Sequence, residues 1–241
     1  MDKPDATAWG TAAAALGAAA FTVPLLPFPS AFLLVGLFAF ALLLPLAIGG
    51  YRVARKAVGI EPTPLLAALA RRGPLPPRAV LIPGVAVGVA LLALAWNLLA
   101  TPLFAGILGD GLPKASPIFL SGPQFLLVNS ITVMEEIAFR LGALFLLAGL
   151  FRARVAPGER KLTAPAWAAI VASGLLFGLF HVMNAGYYGY ALGPFVVFSL
   201  LSQGVSGTFF GWVGWRWGVE AAWLAHFGFN LFAFHLGRIA L

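Results

Sequence analysis

Apolar residues run through this chain in long stretches, and polar positions interrupt them only at wide intervals. Seven of these stretches are long enough to cross, or nearly cross, a hydrocarbon core of about 30 Å. They cover roughly residues 8–27, 30–50, 79–104, 123–150, 164–186, 191–215 and 217–239. Pro24, Pro27 and Pro29 lie in the tight link between the first two and fold them into a hairpin. The pattern predicts an all-α integral membrane protein, a polytopic bundle of about seven transmembrane helices forming a single domain over residues 1–241. Between spans two and three, the segment from Pro64 to Arg72 fits either a short amphipathic helix on the membrane surface or a basic loop with a few leucines.

Composition agrees with that architecture. Of 241 residues, 61% are hydrophobic and 10% charged, and the mean hydropathy is +0.96. A soluble domain carries about 25% charged residues. The chain has no cysteine, which excludes disulfides, thiolate catalysis and cysteine-ligated metals.

The net charge of +7 would fit a nucleic-acid binder, but its placement points elsewhere. Arg52, Arg55, Lys56, Arg71, Arg72 and Arg78 share one loop, and Arg152, Arg154, Arg160 and Lys161 another. Arg216 lies between the last two spans. A seven-span topology puts all three on one side, which the positive-inside rule makes cytoplasmic, together with the N-terminus. The opposite loops carry Asp110 and Lys114, or, around 184–188, no charge. The expected partners are therefore the lipid bilayer and a membrane-associated protein or peptide, not nucleic acid. Lys3 and the Ala-rich run after it resemble a signal peptide, but Asp2, Asp5 and the length of the run favour a retained first span. The Ala, Arg and Pro usage fits a GC-rich bacterial genome, hence a bacterial inner membrane.

A few spans carry groups that lipid does not tolerate. Glu135 and Glu136 are adjacent in span four, and a charge at the bilayer centre costs a few kcal/mol even on lenient scales. Asn129, Thr132, Glu136 and Arg140 recur at spacings of three and four, which places them on one helical stripe. Glu136 and Arg140 can pair, leaving Glu135 as a candidate general base. Span five carries His181 one turn after Phe177, and span seven carries Asn230 one turn after His226. His235, near the chain end, is read as structural.

Counted from the basic side, Glu135 and Glu136 lie about 21–23 Å deep, His181 about 25 Å, and His226 and Asn230 about 14–20 Å. One buried site between spans four, five and seven accommodates them all. Singly, an intramembrane histidine or a Glu–Arg pair is explained by packing; two Glu, one Arg, two His and one Asn at matching depth are not. In span six, Gly204, Gly207, Gly211 and Gly214 predict close helix packing. Trp212, Trp215 and Trp217 around Arg216 predict an aromatic anchor at the interface.

The order Glu-Glu-x-x-x-Arg (Glu135, Glu136, Arg140), Phe-x-x-x-His (Phe177, His181) and His-x-x-x-Asn (His226, Asn230) resembles the CAAX protease and bacteriocin-processing family of intramembrane proteases, also called CPBP or Abi. The resemblance covers about residues 120–233; residues 1–119 are N-terminal spans of unassigned role. It implies a glutamic-type endopeptidase that hydrolyses a peptide bond in or near a membrane-associated substrate. Glu135 would activate water with help from His181, His226 and Asn230 would face the oxyanion, and Glu136 and Arg140 would position the site. Two Glu with two His are also a donor set that a divalent metal such as zinc accepts; the glutamate-base reading needs no cofactor. Relatives process CAAX tails or bacteriocin precursors, or remove C-terminal tails from exported proteins; the depth count favours the last.

Two other functions draw on the same residues. A proton-coupled transporter would use the carboxylates, but the chain shows no internal repeat and its span count is odd. A non-catalytic immunity or scaffold protein on the same fold would have no use for an intact motif set.

Overall fold

The computed structural model describes residues 43–108, 129, 131–156, 159–183, 185 and 190–233. The first span, most of the first hairpin, the loop with Asp110 and Lys114, the start of span four and His235 lie outside them. No strand occurs among the described residues.

Helix α1 covers residues 43–53 and closes with a π turn, Ala54–Val58, ended by Gly59 at φ +92°. Only glycine suits that position, because a Cβ would also stand 2.7 Å from the Val155 carbonyl oxygen. Helix α2 is Pro64–Ala70, and α3 is Ile82–Leu108, entered through the 3₁₀ turn Ala79–Leu81. Helix α4 covers residues 131–150, α-helical through residue 136, π-helical over Ile137–Ala143 and α-helical again over Leu144–Leu150. Helix α5 is Ala164–His181, started by Thr163, whose hydroxyl accepts from the Ala166 N–H. Helix α6 runs from Leu192 to Trp217 with a π turn at Leu200–Gly204, and α7 is Val219–Leu231. Gly218, at φ +108°, is the whole link between α6 and α7.

Helices α1 and α3 to α7 overlap the stretches expected as spans two to seven. By length and composition, Ala79–Ala100, Ala164–His181 and Leu192–Trp217 are long and apolar enough to cross a membrane. Helix α2 settles the Pro64–Arg72 alternative in favour of a helix. Pro64 fits its first position, and the Glu220 carboxylate from α7 accepts from the free N–H groups of Leu65 (3.1 Å) and Leu66 (3.0 Å). Ala67 faces the bundle while Leu66 and Leu69 face outward.

Glycines set how closely α5 and α6 approach. A Cβ at Gly178 would lie 2.8 Å from the Ser199 carbonyl oxygen, and one at Gly207 would lie 3.2 Å from the Gly174 Cα. The predicted role of the span-six glycines is therefore met, with Gly174 and Gly178 of α5 as their counterparts. Helices α1, α4 and α5 share one apolar core, and α3, α6 and α7 share another, joined across α6.

The aromatic anchor is corrected in part. Trp215 is fully buried, stacked on Phe145 at 6.0 Å, with its indole N–H donated to the Lys161 carbonyl at 3.3 Å. Lys161, in the segment before α5, meets its indole, and the ring belongs to the core. Trp212 and Trp217 stay partly exposed.

The three basic loops meet at one end of the bundle. Val155 N–H donates to the Val58 carbonyl (3.0 Å) and Val219 N–H to the Pro62 carbonyl (2.9 Å). Arg160 donates to the Trp215 carbonyl at 2.7 Å and also to the Glu61 carbonyl, and Arg216 donates to the Arg160 carbonyl at 2.9 Å. Burial pulls the Arg160 guanidinium down to about 10, against the opposing pull of Glu220 and Glu61, so it remains charged at neutral pH.

Candidate active site

The site is assembled where α4, α5, α6 and α7 face one another. Glu136 and Arg140 are both 1% exposed, with Glu136 Oε2 3.3 Å from Arg140 Nε. Such a pair is costly to bury unless further partners satisfy it. Part of that demand is met: Arg140 Nη2 donates to the Gly207 carbonyl at 3.3 Å, and the guanidinium lies over the Phe177 ring at 4.4 Å and near the Phe210 ring at 5.5 Å, while Arg140 Nη1 has no hydrogen-bond partner among the described residues. Gly207 reaches this position because it has no side chain to hold α6 away from α5. Arg140 sits inside the π segment, where the helix widens one turn after the glutamates; such segments often mark functional sites.

The other oxygen of Glu136 binds α7. His226 Nδ1 stands 2.9 Å from Glu136 Oε1. The imidazole is stacked on Phe210 (4.6 Å, 17°) and meets Phe177 edge-on at 5.6 Å. A carboxylate accepts only, so Nδ1 carries the proton and donates it to Glu136. That leaves Nε2 facing Glu135 Oε2 at 3.9 Å.

Glu135 differs from its neighbour. Its side chain is 13% exposed, against 2% for Glu136. Its other oxygen, Oε1, lies 3.7 Å from His181 Nε2. His181 Nδ1 is 2.9 Å from the Phe177 carbonyl, again an acceptor only, so the imidazole donates there and turns Nε2 toward Glu135. Each carboxylate oxygen of Glu135 thus faces the Nε2 of a different histidine, from α5 and from α7.

Asn230, 6% exposed, lies one turn beyond His226 and donates through Nδ2 to Thr132 Oγ1 at 2.9 Å. Its amide keeps a second N–H. Phe139 meets Phe177 and Phe180 (5.3 and 5.5 Å), making an aromatic wall beside His181.

Five of the sequence-predicted residues, Glu135, Glu136, Arg140, His181 and His226, are therefore linked by direct contacts, and the sixth, Asn230, meets α4 at Thr132, one turn before Glu136. Sequence reasoning misses Gly207, whose carbonyl accepts from Arg140, and Phe210, the ring that supports both Arg140 and His226. Both lie in Gly207-Thr208-Phe209-Phe210-Gly211, whose spacing by itself indicates only helix packing. The signal present is that Phe210 lies about one turn from Gly207 and so shares its face, but nothing in that spacing points to a particular partner.

Residues 117–232 match the Rce1-like family, described as type II CAAX prenyl endopeptidase Rce1-like. The matched segment begins before the glutamates and ends just after Asn230. The match supports placing this part of the chain in the CAAX protease and bacteriocin-processing family, a family of membrane-embedded peptidases. The apolar helices and this family together make the protein a multi-pass membrane protein. No curated protein and no solved structure matches the chain.

Proposed function

We propose that the protein is an intramembrane glutamic-type endopeptidase in which Glu135 is the general base. The observation that carries this reading is the partly accessible Glu135 carboxylate between two histidine Nε2 atoms, backed by the buried Glu136, Arg140 and His226.

The chemistry follows from which atoms are already committed. Water attacks the scissile carbonyl carbon and gives one proton to Glu135, while His181 Nε2 accepts a hydrogen bond from the other O–H. The carbonyl oxygen becomes an oxyanion beside the second N–H of Asn230. The carbon–nitrogen bond then breaks, and the proton on Glu135 passes to the departing amine nitrogen. The products are a carboxylic acid and an amine, and Glu135 returns as carboxylate. His226 Nε2, left bare because Nδ1 donates to Glu136, faces Glu135 and accepts a hydrogen bond from it once it carries the proton. Glu136 and Arg140 hold that ring in place and touch no reacting atom.

This mechanism rests on proton transfer among neighbouring side chains, and it invokes no metal. Its substrate is a peptide bond in a membrane-associated protein, either a CAAX-like or bacteriocin precursor or the C-terminal tail of an exported protein. The gathered basic loops favour a cytoplasmic position for that end of the bundle in a bacterial inner membrane.

The test is to compare the membrane proteomes of cells expressing the wild type and Glu135→Gln. Precursors that accumulate only with Glu135→Gln, and that the purified wild-type protein cleaves in proteoliposomes, support the reading. Equal cleavage by both proteins would rule it out.

A further inference from the structure

A cavity of about 640 Å³ opens at the basic end of the bundle and shares no lining residue with the glutamate–histidine site. Its volume is in the range of sites that take small ligands. Four cationic side chains, Arg78, Arg160, Lys161 and Arg216, line it with a single carboxylate, Glu159. They come from three separate parts of the chain, and the backbone contacts between the basic loops bring them together.

Two of the cations already have structural work. Arg160 donates to backbone carbonyls of Trp215 and Glu61, and Arg216 donates to the Arg160 carbonyl with its guanidinium 5.7 Å from the Trp217 ring. Arg78 and Lys161 do not. Their side chains are exposed and make no hydrogen bond or ion pair among the described residues. Glu159 is the one carboxylate in the lining, so the cations outnumber it there and an anion placed among them is attracted.

The position of the cavity selects the anion. Arg78 and Ala79 stand at the start of the apolar stretch Ala79–Ala100, and Ile82 of its first turn and Trp217 both line the cavity. A charged rim, an indole and the first apolar turn of a membrane helix occur together at the level of lipid headgroups. A soluble anion would need the cations and not the apolar wall. We propose that this cavity binds the phosphate headgroup of an anionic membrane lipid, with Arg78 and Lys161 on the phosphate and Ile82 beside the start of the acyl chains. Bound there, the lipid would tie the loop before α3, the loop before α5 and the end of α6 to the bilayer surface.

The experiment uses the purified full-length protein in a non-ionic detergent. Thermal unfolding and native mass spectrometry are followed as phosphatidylglycerol, phosphatidylcholine or inorganic phosphate is added. Phosphatidylglycerol should raise the melting temperature in a saturable way, and phosphatidylcholine should not. The double variant Arg78→Ala, Lys161→Ala should bind phosphatidylglycerol about thirtyfold more weakly, with the lipid-free melting temperature unchanged. The charge-keeping pair Arg78→Lys, Lys161→Arg should restore binding. Equal responses to the two lipids, or a double variant that keeps the wild-type response, would overturn the proposal. So would inorganic phosphate that stabilises as strongly as phosphatidylglycerol at the same concentration, since that would mark a soluble-anion site. If the double variant does not fold, the contrast between the two lipids on the wild type and on the charge-keeping pair decides alone.

Discussion

His226 of α7 holds Glu136 of α4 through a 2.9 Å contact between Nδ1 and Oε1, while the adjacent Glu135 lies 3.9 Å from the opposite nitrogen of the same ring. One imidazole therefore separates two neighbouring carboxylates into a held one and an accessible one. The roles proposed for the pair follow from that difference, and they are separable by experiment.

Glu135→Gln keeps the size of the side chain and removes the base. It should lower the cleavage rate by at least about 10²-fold, within the usual range for loss of a general base. The melting temperature in detergent should stay close to wild type, because Glu135 is partly exposed. Glu136→Gln should lower both, since it leaves Arg140 buried without its counter-charge, a change that costs about 3–5 kcal/mol. Measuring rate and melting temperature for both variants checks the division; a Glu135→Gln protein that unfolds like Glu136→Gln would contradict it.

Arg140→Lys should not restore function. The guanidinium lies between Phe177 and Phe210 and reaches both Glu136 and the Gly207 carbonyl, a planar arrangement that an ammonium cannot reproduce. The expected result is a folded but destabilised protein with activity well below wild type, read from the same pair of assays.

Gly174→Ala and Gly178→Ala should each loosen α5 from α6. A Cβ at 174 would lie 2.7 Å from the Thr208 backbone nitrogen and 2.8 Å from the Gly204 carbonyl oxygen, and the backbone cannot move aside cheaply. Overpacking of this kind costs about 1–3 kcal/mol. Because the same movement would draw the Gly207 carbonyl away from Arg140, activity should fall along with stability. Gly193→Ala, with nothing within 4 Å of the new methyl group, serves as the control.

Asn97 of α3 offers a prediction outside the family-matched segment. Its amide donates to Ser206 Oγ at 3.0 Å and accepts from Ser202 Oγ at 2.6 Å, all three side chains being buried. Asn97→Leu would leave both serine hydroxyls without this partner and should cost on the order of 1–2 kcal/mol, the range for hydrogen bonds between membrane helices. Thermal unfolding of the variant against wild type measures it directly.

The proposed mechanism also predicts the response to chelation. Cleavage in proteoliposomes should be unchanged by an excess of a strong divalent-metal chelator, and adding zinc should not raise it. Loss of activity on chelation that zinc restores would assign Glu135, His181 and His226 to a metal instead.

The local order of the site is legible in the sequence because helices convert spacing into direction. Glu136 with Arg140 and Phe177 with His181 each lie one turn apart, so each pair shares a face whatever the surrounding fold. The cost of placing charge in lipid likewise marks Glu135 and Glu136 from the sequence alone. The places of the helices among the described residues also follow from hydropathy, since backbone groups in lipid must bond within their own helix. Trp215 escapes the same reasoning. Hydropathy places a tryptophan near a membrane boundary, but whether a loop folds over it depends on distant residues.

What the sequence by itself determined is the helical character of the chain and the order of its polar residues along single helices. The tertiary structure decided which of them touch. It turned His226 onto Glu136, let Gly207 bring a carbonyl to Arg140, and gathered three basic loops around one cavity. Those outcomes depend on how helices far apart in sequence rotate and approach one another, and that is fixed by the fit of glycines and aromatic rings across their faces, which no spacing along a single helix records.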